Sequence, residues 1–285
     1  MSADILIALV PALFWGILPV LVAWTGGRPI QQILGTTLGT LIAAVVVVLI
    51  VRPQIGPAAL LFGALSGACW AFGQFNQYRA YGQIGVSQAL PISTGLQLLG
   101  TSLVGVLLLG EWPTAGERLL GGLAIAIIIV GIFLTTRHED ATRGGDMKAG
   151  MTTLLISSLG YVGYSYFPRV RDLDGWSAFL PQAIGMFAMS VLLSLFARGD
   201  RPWSIKTVHN LGAGLVFAIA ALAYLVSAQR NGVATGFALS QMNVVIATLG
   251  GIFIVGEKKT HREMVLILAG LALVVGGGIL IGLNR

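Results

Sequence analysis

Neutral amide and hydroxyl side chains are the residues that could do chemistry inside the long apolar segments of this chain. Gln74, Gln77 and Tyr78 follow an i, i+3, i+4 spacing, and Ser93 and Gln97 are four residues apart, so each set shares one face of a helix. Polar groups in hydrocarbon cost free energy unless they meet a partner or water. Further candidates of this kind, polar or aromatic, are Trp15, Gln32, Trp70, Tyr161, Tyr164, Gln182, Gln241 and Asn243.

The chemical character of this set favours an uncharged ligand with several hydroxyl groups. An amide donates and accepts hydrogen bonds at once, and an aromatic face suits the C–H face of a sugar ring. All 11 acidic residues lie outside or at the very ends of the apolar segments, so a cationic substrate would find no counter-charge. The same amides and hydroxyls could also serve as hydrogen-bonding contacts between membrane helices, and the sequence leaves both interpretations open.

The composition indicates a chain that resides in a lipid bilayer. Hydrophobic residues make up 56% of the sequence and charged residues only 10%, with a mean hydropathy of +0.87. A helix needs roughly 20 apolar residues to cross the hydrocarbon core. The sequence predicts an all-α integral membrane protein with ten transmembrane helices, at 4–24, 30–51, 58–78, 85–109, 117–136, 150–170, 176–197, 208–229, 232–255 and 262–283.

An internal repeat relates the fourth and fifth predicted spans to the ninth and tenth, because segment 85–134 reappears at 232–280. Adding 146 to the residue number aligns four of the five glutamates in two pairs, Glu111 with Glu257 and Glu117 with Glu263. The amides of Gln97 and Asn243 align at the same offset. These matches indicate that an ancestral unit was duplicated.

Each repeat contains five predicted helices, so the second repeat must enter the membrane from the opposite side. Such inverted repeats are typical of secondary transporters. We expect an N-terminal five-helix repeat at 1–136, a charged linker at 137–149 and a C-terminal five-helix repeat at 150–285. Loops on the linker's side carry eleven Lys and Arg residues against six on the other side. The positive-inside rule therefore predicts a cytoplasmic linker with both termini outside the cytoplasm.

Other functional classes find little support in the sequence. Cys69 is the sole cysteine, and the three histidines are scattered in or next to loops, which predicts no metal site. No phosphate-binding loop or nucleophile motif is present, so we expect neither an enzyme nor a cofactor. The net charge of +6 fits basic membrane loops better than a nucleic-acid partner.

A series of long motifs covers essentially the whole chain. They are PALFWG at 11–16, GGRPIQQILGTTLGTLI at 26–42, SGACWAFGQ at 66–74, GVSQALPISTGLQLLGTSL at 85–103, LGEW at 109–112, GYVGYSYF at 160–167, PQAIGM at 181–186, GVATGFALSQ at 232–241 and TLGGIFIVGEKK at 248–259. These motifs resemble the bacterial glucose/ribose porter family, within the drug/metabolite transporter superfamily. The resemblance implies ten helices in the bacterial cell membrane and uptake of a monosaccharide, glucose or ribose, with proton symport as the energy source.

A proton-coupled carrier needs a titratable group that both sides can reach, and no such group lies at midspan. Glu111 and Glu257 are the candidate proton-coupling residues, with Glu117, Glu263 or a tyrosine–amide–water chain as alternatives. The structural alternative is that Glu111 and Glu257 mark helix ends, paired with Arg118 and Lys258. Uniport, an exporter or broad metabolite carrier of the same superfamily, and a non-transporting membrane sensor are the competing functions.

Overall fold

Helices make up the regular structure of the described chain, in a computed structural model that describes residues 3–135, 146–197, 201–254 and 260–283. Glu257 and most of the predicted linker lie outside the described residues. The helices are α1 (Ala3–Thr25), α2 (Pro29–Val51), α3 (Pro57–Ile84), α4 (Val86–Leu108), α5 (Ala115–Thr135), α6 (Met147–Val170), α7 (Gly175–Phe196), α8 (Ile205–His209), α9 (Leu211–Asn231), α10 (Val233–Ser240), α11 (Asn243–Phe253) and α12 (His261–Leu283).

Nine stretches of the described residues are long and apolar enough to cross a membrane, with α8–α9 and α10–α11 each forming one stretch. The predicted sixth span, α6, is not among them. Its 24 residues would extend about 36 Å, enough to cross, but it carries Lys148 and Arg169 near its ends and buried Ser157 and Tyr161 between them. It packs against α3 and α4. The nine apolar stretches and the length of α6 confirm the predicted all-helical membrane fold for the described part of the chain.

Successive spans run in opposite directions, so the bundle has two faces. We call the face with the start of α1 and the α4–α5 loop face A, and the face with the α1–α2 loop face B. Helix α3 packs against α6 and α7, while α9 packs against α1 and α2, and α5 packs against α12. Each of these pairings has a counterpart if α1–α5 correspond in order to α6–α12. The inverted repeat itself stays a prediction.

Glycines allow the closest of these helix contacts, as expected where membrane helices approach each other. A Cβ atom on Gly39 of α2 would overlap the carbonyl oxygen of Leu211 of α9, and one on Gly214 would overlap that of Thr36. The equivalent contact between α3 and α7 involves Gly67 and Gly185, each set against backbone of the other helix.

Two equivalent helix starts use the same capping arrangement. The backbone N–H of Thr114 donates a hydrogen bond to the Glu117 carboxylate, and the backbone N–H of Glu117 donates one to the Thr114 hydroxyl. Thr260 and Glu263 repeat this pattern at the start of α12. Because these carboxylates cap their own helices, the alternative in which Glu117 or Glu263 reaches a cavity finds no support here.

The predicted ninth span is wrong in one respect, since it is two helices and not one. Between α10 and α11 the backbone hydrogen bonds shift to i−3 partners, with Met242 N donating to Leu239 O at 3.2 Å and Val244 N to Gln241 O at 3.1 Å. Its repeat partner, α4, is continuous through Pro91. The break places Gln241 and the first residue of α11, Asn243, at the middle of the bundle.

Candidate sugar-binding cavity

A cavity lies in the interior of the bundle, and the residues that line it lie near the middle of their helices or toward the face B ends. It lies between α1, α3, α4, α6, α9 and the broken α10–α11 pair. The lining residues are Trp15, Leu18, Pro19, Trp70, Gln74, Gln77, Tyr78, Tyr81, Leu90, Thr94, Gln97, Tyr161, Tyr164, Phe217, Phe237, Gln241 and Asn243.

One wall of the cavity is a connected network of amides and hydroxyls from α3, α4 and α6. Gln74 Nε2 donates to Gln77 Oε1 at 2.8 Å, and the Tyr161 hydroxyl lies 2.8 Å from the Oε1 atoms of both glutamines. Ser93 Oγ accepts from Gln77 Nε2 at 2.8 Å and from Gln97 Nε2 at 2.7 Å. We call these five residues the amide wall. Their mutual hydrogen bonds hold the side chains in place at membrane depth.

The opposite wall consists of aromatic rings from α1, α3, α6, α9 and α10. Trp70 packs on Phe217 with ring centroids 4.0 Å apart, and Trp15 lies 5.3 Å from Tyr224. Tyr164 stacks on Tyr224 at 5.5 Å. We call the lining members of this set, Trp15, Trp70, Tyr164, Phe217 and Phe237, the aromatic wall; Tyr224 packs against it without lining the cavity. Its ring faces and edges offer apolar surface of defined orientation.

Three buried polar atoms at the cavity have no hydrogen-bond partner among the described residues. They are Trp15 Nε1, the Tyr164 hydroxyl and Asn243 Oδ1. Buried polar groups are nearly always paired, because an unpaired one costs about 1–3 kcal/mol. Since all three belong to residues that line the same cavity, a bound ligand with hydroxyl groups would satisfy them.

Nine of the twelve predicted binding residues line this cavity: Trp15, Trp70, Gln74, Gln77, Gln97, Tyr161, Tyr164, Gln241 and Asn243. Ser93 reaches it through its two amide partners. Gln182 instead donates to Ser66 Oγ between α7 and α3, at 2.9 Å. Gln32 is half-buried on α2 and is not part of the lining. Whether any of these residues binds a ligand stays a prediction.

Sequence reasoning missed several lining residues. Phe217, Phe237 and Leu90 are apolar residues in apolar helices, so nothing in the sequence separates them from residues that face lipid. Thr94 and Tyr81 carry a weak signal, because they continue the polar faces of Gln97 and Gln77 at helical spacing.

Glu111 lies away from the cavity, in the loop between α4 and α5. Its two carboxylate oxygens accept hydrogen bonds from the backbone N–H groups of Val233 and Ala234, at 2.6 Å each. It therefore caps the first turn of α10, from the other half of the chain, and does not pair with Arg118, whose guanidinium donates to the carbonyl of Pro113. Burial raises the pKa of Glu111, while the two N–H groups and the charge of Arg169 oppose that shift.

Tryptophans outside the cavity occur where a membrane protein is expected to carry them. Trp24, Trp176 and Trp203 are exposed near helix ends, as expected for side chains at the headgroup level. Among the described residues, no group of three or more His, Cys, Asp or Glu side chains could hold a metal ion. The fold and its cavity thus define a multi-pass membrane protein of the transporter class.

Comparison with known proteins identifies the family. The family model described as "Sugar transport protein" matches residues 6–284. The glucose uptake protein GlcU of Bacillus subtilis is 42% identical, with 99% of each chain covered. A Latilactobacillus sakei relative, provisionally named ribose uptake protein RbsU, is 46% identical over 97% of both chains. The chain therefore belongs to the sugar transport protein family and is a multi-pass transporter of the bacterial plasma membrane.

A solved structure shares the fold at much lower sequence similarity. This crystal structure of a protein superposes with a TM-score of 0.72 at 18% identity, and the match covers 99% of this chain and 98% of the other. At that identity the likeness extends to the fold alone.

Proposed function

We propose that the protein imports a neutral monosaccharide, glucose or ribose, by alternating access of its two five-helix halves around the central cavity. The observation that carries this proposal is the unlike chemistry of the two cavity walls. One wall presents amides and hydroxyls, the other presents aromatic rings, and none of the described lining residues is charged. Names of relatives agree, since GlcU is a glucose uptake protein and RbsU is provisionally a ribose uptake protein.

The two walls suggest how a sugar ring would lie. Its hydroxyl edge faces the amide wall, where Gln74, Gln77 and Gln97 can donate and accept. Its C–H face lies on Trp15 or Trp70. The far edge then meets the three atoms that lack partners: Trp15 Nε1, the Tyr164 hydroxyl and Asn243 Oδ1. A phosphorylated sugar is disfavoured, because a buried phosphate needs cationic partners and this cavity offers none among the described residues.

Uptake of labelled D-glucose and D-ribose into proteoliposomes, with and without an imposed pH gradient, tests the proposal. We expect saturable uptake of at least one sugar, competition by close analogues, and accumulation above equilibrium only with acid on the entry side. Resistance of expressing cells to cationic dyes without sugar accumulation would identify an exporter instead.

We further propose that Glu111 carries the coupling proton. A carboxyl whose pKa is raised binds its proton more strongly than one in water, so protonation favours the conformation in which the group is buried. Here that is the conformation closed at face A. Acid outside the cell would therefore promote closure at face A once sugar is bound. Glu257, the partner of Glu111 in the repeat, lies outside the described residues.

Replacing Glu111 with Gln tests the proton's role. The neutral amide cannot take up or release a proton. We therefore expect that a pH gradient no longer drives sugar accumulation in this variant, while sugar–sugar counterflow continues. Glu117→Gln is the matched control, because Glu117 is a glutamate six residues further along that accepts hydrogen bonds at the start of its own helix, α5. Accumulation that persists in Glu111→Gln would assign the proton to another group.

A further inference from the structure

One half-helix, α10, separates the cavity from face A. It begins at Val233 on face A, and its inner part carries Phe237 to the cavity. All eight of its residues are buried. Because the lining residues lie at mid-helix or nearer face B, a ligand that enters from face A has to pass α10.

Both ends of α10 can act as pivots. At its inner end the helical bonding shifts to i−3 partners around Gln241 and Met242, and such a stretch inside a longer helix often marks a hinge. At its outer end Gly232 has a φ of +78°, a conformation that glycine adopts without strain. The half-helix is thus bounded by two points at which the backbone can turn.

The α4–α5 loop of the other half of the chain holds the outer end of α10 in place. Glu111 accepts from the N–H groups of Val233 and Ala234, and Trp112 Nε1 donates to Thr235 Oγ1 at 3.3 Å. The Trp112 ring is itself fixed, since it packs directly on Gly121 of α5. Gly105 of α4 lies so close that a Cβ there would be 3.1 Å from Ala234 Cβ.

A second contact joins the halves beside this loop. Arg230, at the end of α9, forms an ion pair with Asp4 at 3.3 Å, and Asn231 Nδ2 donates to the Asp4 carbonyl at 3.1 Å. These groups tie the turn that precedes α10 to the start of α1. Face A is therefore closed by contacts between halves, all made within a few residues of Gly232.

We propose that α10 is the gate of the cavity toward face A, a half-helix that swings about Gln241–Met242, and that Glu111 and Trp112 are the positioning residues that hold it shut. The proposal rests on the proposed transport function. By the predicted repeat, the opposite gate would be the first part of α4, where Pro91 occupies the position equivalent to Phe237 and cannot donate a helical hydrogen bond. That part of α4 carries Leu90, which lines the cavity.

A disulfide across the gate provides the direct test. Gly105→Cys with Ala234→Cys, in a Cys69→Ala background, needs a shift of a few tenths of an ångström to reach disulfide geometry. We expect the oxidised protein to bind labelled sugar but not to transport it, and reduction to restore transport. Each single-cysteine variant, treated with the same oxidant, is the control. Transport at the parent rate after confirmed cross-linking would overturn the gate.

A sugar-independent readout separates failure of the gate from failure of the proposed function. Thr101 is buried on α4, on the face between Gln97 and Gly105. The test uses a Thr101→Cys, Cys69→Ala background and an impermeant thiol reagent added at face A. There, Trp112→Phe should raise the rate of labelling about two- to tenfold, because the substitution removes one hydrogen bond that holds the gate shut. Trp176→Phe, which alters an exposed tryptophan, should not. Unchanged labelling overturns the gate; increased labelling without any sugar uptake supports the gate and overturns the sugar assignment.

Discussion

At the scale of single residues, the amide wall consists of neutral groups that hold one another in place. Ser93 Oγ accepts from Gln77 and Gln97, which come from different helices, and the Tyr161 hydroxyl bridges Gln74 and Gln77. A neutral network of this kind can exchange partners with sugar hydroxyls without moving charge through the membrane. We expect Trp15, Tyr164 and Asn243, the lining residues with a buried polar atom that has no partner among the described residues, to complete ligand recognition.

The amides at equivalent positions in the two repeats test this view. Gln97→Leu and Asn243→Leu should each leave a sugar hydroxyl unpaired, at a cost of about 1–3 kcal/mol, or roughly a 5- to 150-fold loss of affinity. Sugar binding by the purified variants measures this. Ser102→Ala is the control, because Ser102 Oγ is also buried without a partner but does not line the cavity. Normal sugar binding by both leucine variants would mean that these amides serve only in contacts between helices.

The sequence predicted the cavity better than the partners of its residues. An amide in an apolar helix is visible in the sequence, which is why Gln74, Gln77 and Gln241 were found. Gln182 is also an amide in an apolar helix, but its side chain donates a hydrogen bond to Ser66 on a neighbouring helix. Which helix lies opposite an amide is a property of packing, and no spacing along one helix encodes it. Phe217 and Phe237 were missed because an aromatic ring that faces a ligand looks like one that faces lipid.

At the scale of helices, the spans were predictable because the bilayer sets their length and polarity. The split of the ninth span was not, since the segment Ser240–Gln241–Met242 contains neither Pro nor Gly. The prolines that do occur, as in α1 and α4, lie inside helices that continue past them. Membrane helices tolerate proline because neighbouring groups satisfy the freed carbonyls. Proline therefore did not indicate where a helix would end.

Glycine substitutions test the helix contacts. A methyl group on Gly39 would overlap the backbone of α9, so Gly39→Ala should destabilise the folded protein by about 1–3 kcal/mol, the usual cost of overpacking. Gly82→Ala provides the contrast, because nothing lies within 4 Å of a Cβ there and alanine favours the helix by about 0.5–1 kcal/mol. Thermal unfolding in detergent compares the two. Equal stability would mean that α2 and α9 can separate without cost.

At the scale of the whole molecule, contacts between the halves close face A, and the cavity lies nearer face B. The biological meaning of that state depends on how the bundle sits in the membrane. In the topology predicted from the sequence, loops on the side of the α1–α2 loop carry eleven of the Lys and Arg residues against six on the other side, which predicts that face B is cytoplasmic. With that orientation, the proposed function and gate would make this structure the state that faces the cytoplasm, with α10 closed toward the outside.

Two glycines near opposite faces make this orientation testable. Gly116 lies near the start of α5 at face A and Gly82 near the end of α3 at face B, and both have open space around their Cβ positions. In a Cys69→Ala background, an impermeant maleimide added to intact cells should label Gly116→Cys and leave Gly82→Cys unlabelled until the membrane is permeabilised. The reverse pattern would place face B outside, because the labelled thiol must then meet the external solution. In that case the cavity would receive sugar from the medium, and α10 would govern its release into the cytoplasm.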